Sequence, residues 1–278
     1  MTAKPSSTRL HCGADNPFEN HCSLDEVLYR LLFDSHFCRT FTSGKWADLP
    51  IRPSDYDHLM SVDTDELGKM ATLVRRDVLS GAGSGNLLRS FPRTFMTLAT
   101  AGRAPEDIVD RFVASEDFRE SRELPFAGRG LSIEEAFYNF VAGDPELVMS
   151  WHGQHPWMLH EFLSAIFAIL ATSPEPNFEI RTPTVRQNHA CRYALVTYSA
   201  AFICAIRNVE VREPKGDERI FLYAAANQAL IRGPISTTAA AILIREHRSG
   251  SSASYHNDGL INKDAERWEV HFAKLGLI

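Results

Sequence analysis

At 278 residues, 44% of them apolar and with a formal charge of −6, the chain has material for two compact domains with ordinary cores. The acidic balance and a pI near 6.0 speak against a nucleic-acid-binding surface, and the short basic clusters Arg75-Arg76 and 245–248 are too small to reverse it. Five scattered cysteines without a CxxC pair point to reduced thiols in a cytoplasm, no secretory signal is expected, and the most apolar stretch, 157–171, is too short and too polar to cross a bilayer.

Residues 1–22 carry Ser, Thr, Asn, Pro and Gly without periodicity and predict a mobile tail. Ser23 and Glu26 form a capping box, and Leu24, Val27, Leu28, Leu31 and Leu32 recur at helical spacing, so a helix is expected to about Phe33. A short helical piece over 34–42 follows. Pro50 and Pro53 then break the chain, and Trp46 falls in a segment that reads as a loop. Asp63 heads a helix with Leu67, Met70, Ala71, Val74 and Val78 on one face. The run Gly81-Ala82-Gly83-Ser84-Gly85 reads as a linker: it lacks the Lys-Ser/Thr of a phosphate loop and follows a helix, not a strand.

Further helices are expected over 87–100, with Pro92 near the start, and from Pro105, with Ile108, Val109, Phe112 and Val113 as the buried stripe. A second capping box, Ser132 with Glu135, opens a helix carrying Ala136, Phe137 and Phe140. Glu134 and Glu135 there read as first-turn acids favourable to the helix dipole. Asp144-Pro145-Glu146 begins a helix that Pro156 interrupts and 157–171 completes. Residues 172–183 contain three prolines and read as an interdomain linker.

The C-terminal part is rich in β-branched and aromatic residues. Three strands are expected over 189–201, 202–212 and 219–230, with a hairpin at Pro214-Lys215-Gly216-Asp217 and an end to the sheet at Gly233-Pro234. Two helices follow, over 236–248 and about 262–275, the second with Trp268, Phe272 and Leu275 on its inner stripe. The expected fold class is therefore α+β. A flexible tail (1–22) precedes an orthogonal bundle of short helices (23–172). The bundle precedes a small winged-helix-like domain (184–278), a three-stranded antiparallel sheet with helices.

No residue set carries a clear catalytic signature. There is no GxSxG elbow, and Ser80 and Ser84 sit in a glycine-rich segment that makes a poor rigid platform. His152, His155, His160 and Glu161 invite a two-histidine, one-carboxylate iron or zinc site, but residues five apart do not share a helix face and Gly153 and Pro156 disturb the helix between them. His11-Cys12 and His21-Cys22 match no standard zinc spacing, and Cys38, Cys191 and Cys204 lie in apolar runs as small hydrophobes. Trp151, His155 and Trp157 offer an aromatic and polar cluster suited to a partner interface.

Residues 24–80, with Leu28-Tyr29-Arg30-Leu31-Leu32-Phe33-Asp34 and Val74-Arg75-Arg76-Asp77, resemble the helical start of accessory proteins from gene clusters for ribosomally made, modified peptides. Phe91-Pro92-Arg93-Thr94, with 112–118 and 131–140, is similar to partner subunits of multinuclear iron-dependent oxidative enzymes, the methanobactin partner subunit being the relative by role. The strands and helices at the C-terminus resemble the peptide-recognition element of such partners and of the small peptide chaperone of pyrroloquinoline quinone synthesis.

The resemblance implies a non-catalytic, cytoplasmic adaptor in a hetero-oligomer. It would hold no cofactor or metal of its own, bind a precursor peptide, and dock on an enzyme subunit that carries the iron, with no nucleic acid or membrane involved. The leader would add as a strand at Arg219, Ile220, Phe221, Leu222 and Tyr223, beside a groove walled by Trp268 and Phe272. Two other readings stay open: a helical metalloenzyme using the His152–Glu161 stretch, and a winged-helix DNA-binding regulator.

Overall fold

The computed structural model describes residues 21–81, 86–123, 131–149, 155–172, 186–187, 193–208, 218–248 and 263–278. Among them the chain is mostly helical, with one small antiparallel sheet, an α+β protein. None of the described helices is long and apolar enough to cross a membrane.

The chain divides into two compact units, the first ending at Arg75 and the second beginning at Arg76. This division falls elsewhere than the linker expected at 172–183, most of which lies outside the described residues. The helix before that segment, 155–172, packs directly on the sheet after it.

The first unit holds α1 (Leu24–Phe33), α2 (Ser35–Thr42), α3 (Tyr56–Met60) and the start of α4 (Thr64–Ser80). Its helix starts are made by caps. Ser23 Oγ accepts the Glu26 N–H at 3.2 Å, and the Asp34 carboxylate accepts the Phe37 N–H at 2.9 Å. The apolar stripes these starts establish meet in a core of Val27, Leu31, Phe37, Phe41, Ile51 and Leu59. Cys22, expected in a mobile tail, donates its N–H to the Pro50 carbonyl at 2.7 Å. Trp46 stacks on Phe41 with centroids 5.0 Å apart and donates its indole N–H to the Phe41 carbonyl. The expected loop is thus pinned by its own aromatic ring.

The second unit opens with α5 (Leu87–Ser90), α6 (Pro92–Thr100), α7 (Pro105–Val113), α8 (Glu116–Glu123), α9 (Ile133–Gly143), α10 (Pro145–Met149) and α11 (His155–Thr172). Phe137 of α9 is the centre of their core, with Phe91, Phe95 and Phe112 ring centroids 5.0 to 5.3 Å away. The rest comprises β1 (Arg186–Gln187), β2 (Tyr193–Ser199), α12 (Ala200–Arg207), β3 (Glu218–Ala226), β4 (Ala229–Ile235), α13 (Thr237–Arg248) and α14 (Lys263–Leu275).

The four strands pair antiparallel in the order β1-β2-β3-β4. Side chains alternate across the sheet, so β3 serves two cores. Leu222, Ala224 and Ala226 face α13 and α14, where they meet Tyr193, Leu195, Ala239, Leu243 and Phe272. Phe221 and Tyr223 face α11, which lies between this sheet and helices α6 and α9. Cover on both sides explains why α11 is apolar nearly all round.

Three strand expectations are corrected. Residues 202–207, expected as strand, are the helix α12, capped by Ser199 Oγ on the Phe202 N–H at 3.3 Å and ended by Asn208 in the left-handed conformation. The expected strand over 219–230 is broken by a two-residue turn at Asn227 and Gln228, with φ of 52° and 59°, and its far side is β4. Gly233-Pro234, expected to end the sheet, lies inside β4. The expected hairpin at 214–217 falls outside the described residues.

Candidate functional site

Strand order decides the fate of the expected peptide edge. β3 is paired with β2 on one side, as in Val196 with Phe221, and with β4 on the other, as in Arg232 with Tyr223. Arg219, Ile220, Phe221, Leu222 and Tyr223 are therefore central-strand residues with no edge to offer. Phe272 is a core residue at 1% exposure, and Trp268 of the expected groove wall is partly buried against the same core. Trp268 lies along an open trough of about 930 Å³ with Ser236, Lys263, Arg267 and His271.

A second cleft, of about 670 Å³, is formed by α5, α9, α11, α12 and β4. Its floor holds three buried titratable residues, His160, Glu161 and Glu134. Each has a local reason to be there. His160 Nδ1 is 2.5 Å from the Tyr223 hydroxyl, which is 3.1 Å from the Tyr198 hydroxyl. Burial, and secondarily the Arg232 charge, push the imidazole down to about 4, while burial pushes both tyrosines up. All three groups are neutral near pH 7, so the row is a polar tie between α11 and the sheet.

Glu161 caps α6 from a distance. Phe91, at the cap position, has no side-chain acceptor to give. The Glu161 carboxylate instead accepts the Arg93 N–H at 2.6 Å, the Thr94 N–H at 3.0 Å and the Thr94 hydroxyl at 2.6 Å. Burial raises its proton affinity, and these bonds pull it back. Glu134, read from sequence as a first-turn acid, is 1% exposed, with Ser90 Oγ 3.5 Å from one carboxyl oxygen. Burial raises its proton affinity as well.

The rim is different in character. Arg232 of β4 donates to Ser164 Oγ at 2.6 Å, and Ser164 in turn donates to the His160 carbonyl at 2.6 Å. Arg89 also lines the cleft. Among the described residues no carboxylate pairs with Arg232 or Arg89. Arg93 lies over the Trp157 ring at 3.8 Å, and Trp157 packs edge-on to Phe202 at 4.9 Å. Trp157 therefore lines this cleft. Trp151 and the side chain of His155 lie outside the described residues.

The cleft thus offers two rim cations over a floor whose acids are already engaged, a setting for an anionic group. His160 and Glu161, adjacent on one helix, turn to different partners, and no group of three potential metal ligands clusters among the described residues. Arg232, Arg89 and Ser164 were missed from sequence. A cation two residues before a proline in an apolar strand was the available signal. Comparison with protein-family models, curated proteins and solved structures finds no match to this chain.

Proposed function

We propose that this chain is a non-catalytic, cytoplasmic adaptor that binds an extended precursor peptide and presents it to an iron-dependent oxidative enzyme in modified-peptide biosynthesis. One observation carries the peptide-binding half of the reading: β4 is an outer strand of the sheet, and no described residue pairs with its outward backbone groups.

The hairpin geometry says which groups those are. Ala226 and Ala229 flank the two-residue turn and form a hydrogen-bonded pair, so Ala229, Ile231, Gly233 and Ile235 turn their N–H groups toward β3. Leu230 and Arg232 turn theirs outward. Pro234, without an N–H, falls at an outward position, where the ladder loses nothing. A peptide strand would find two donors and three carbonyl acceptors along this edge.

The trough beside Trp268 includes Ser236, the residue after β4, and supplies room for alternate side chains. In this reading β3, β4, α13 and α14 act as the winged-helix-like recognition element, and the N-terminal helices act as the orthogonal bundle that docks on the enzyme. The partner and its iron enter from the resemblance of the helical segments, and the Trp151, His155 and Trp157 region is the proposed contact.

Labelled linear peptides selected from a random dodecapeptide display library test the edge. Leu230→Pro removes an outward N–H and should weaken their binding by about tenfold or more while the melting curve keeps its shape. Unchanged affinity in a folded Leu230→Pro variant rejects β4 as the peptide site.

A further inference from the structure

We infer that the recognised peptide carries an acidic side chain opposite Arg232, with apolar residues on either side; this rests on the edge reading above. Directly opposed residues on paired strands place their side chains on the same sheet face. Arg232 lies across from Tyr223, on the face toward α11, and its guanidinium reaches Ser164 in the cleft. A peptide residue paired with Arg232 therefore points into that cleft.

The charges met there favour an anion. Arg232 and Arg89 both line the cleft, and among the described residues neither has a carboxylate partner. The two acids of the floor are engaged: Glu161 is held by Arg93 and Thr94, and Glu134 is sealed against Ser90 at 1% exposure. A carboxylate beside Arg232 would accept a charge-assisted hydrogen bond from a guanidinium that, among the described residues, bonds a serine hydroxyl. A volume of about 670 Å³ admits an Asp or Glu side chain readily.

The residues before and after that acid point to the other face. There one lies opposite Ile231, which packs against the α13 and α14 core, and the other opposite Gly233, where nothing stands within 4 Å of a Cβ position and Ile235 is the next side chain along that face. The pattern selected is thus apolar, acidic, apolar.

Random dodecapeptides displayed on phage, selected on the full chain, test this. The expected outcome is a pool sharing one Asp or Glu between apolar residues. Changing that acid to its amide should cost about tenfold or more in affinity on the unaltered protein. Selection on Arg232→Glu should shift the position toward Lys or Arg, and Arg232→Lys should retain the acidic preference. Peptides that bind through the edge, and so are lost in Leu230→Pro, but show no acidic preference and bind Arg232→Gln unchanged overturn this inference and leave the edge reading standing. An empty selection, or peptides indifferent to Leu230→Pro, overturns both.

Discussion

His160 Nδ1 of α11 and the Tyr223 hydroxyl of β3 lie 2.5 Å apart, sixty-three positions apart in the chain. That pair, with Tyr198, joins the helical layer to the sheet through a row of neutral polar groups. Separating that helix from the sheet would break both hydrogen bonds and expose the apolar residues packed around them, Phe167 and Phe221 among them. The pair also makes stability depend on pH in a defined direction.

The folded imidazole titrates near 4, below its ordinary 6.5. Between those values the unfolded chain binds the proton and the folded chain does not. The stability that neutral His160 contributes is therefore full above about pH 6.5 and is lost as pH falls toward about 4, by up to roughly 3 kcal/mol. Urea melts of the native chain and of His160→Asn should show a stability gap that narrows across this window. A gap independent of pH contradicts the buried neutral histidine.

Glu161→Ala should destabilise the second unit by about 2–4 kcal/mol, because it leaves the Arg93 and Thr94 N–H groups and the Thr94 hydroxyl without their acceptor. Glu161→Gln keeps one acceptor oxygen and should cost less. Urea midpoints, with the slope checked for constancy, measure both.

Gln228 occupies the second turn position with φ of 59°, where a side chain is disfavoured. Gln228→Gly should raise stability by about 0.5–1 kcal/mol, read as a higher melting temperature. A lower one would mean that the Gln228 side chain holds the hairpin in some other way.

Phe272 and Trp268 share a face of α14, with ring centroids 5.3 Å apart, but differ in burial. Phe272→Ala should cost about 3–5 kcal/mol and Trp268→Ala about 1–2 kcal/mol. Thermal unfolding separates them, and equal losses would argue that Trp268 is also a core residue.

Much of the helical part was legible because its signals are local. Ser23 and Ser132 cap the helices their neighbours announce, and the Phe137 stripe lands in the core that its spacing implies. The C-terminal part was less legible because Phe202, Ile203 and Ile206 have β propensity, yet Ser199 caps a helix there and Asn208 ends it. Asn227-Gln228 is a weaker hairpin signal than Asn-Gly, so one expected strand concealed two.

The candidate site was harder still. Glu134 is as plausible an exposed first-turn acid as a buried one until Ser90 covers it, and nothing near Glu161 in sequence says that it caps a helix some seventy residues earlier. The chain by itself determined the helix starts, the apolar stripes and the α+β class, since these follow from backbone caps and side-chain period. Only the tertiary structure decided that β3 is central and β4 outermost, and that Arg232 and Arg89 share a cleft. Strand order and charge proximity are set by packing between distant segments, which no local pattern encodes.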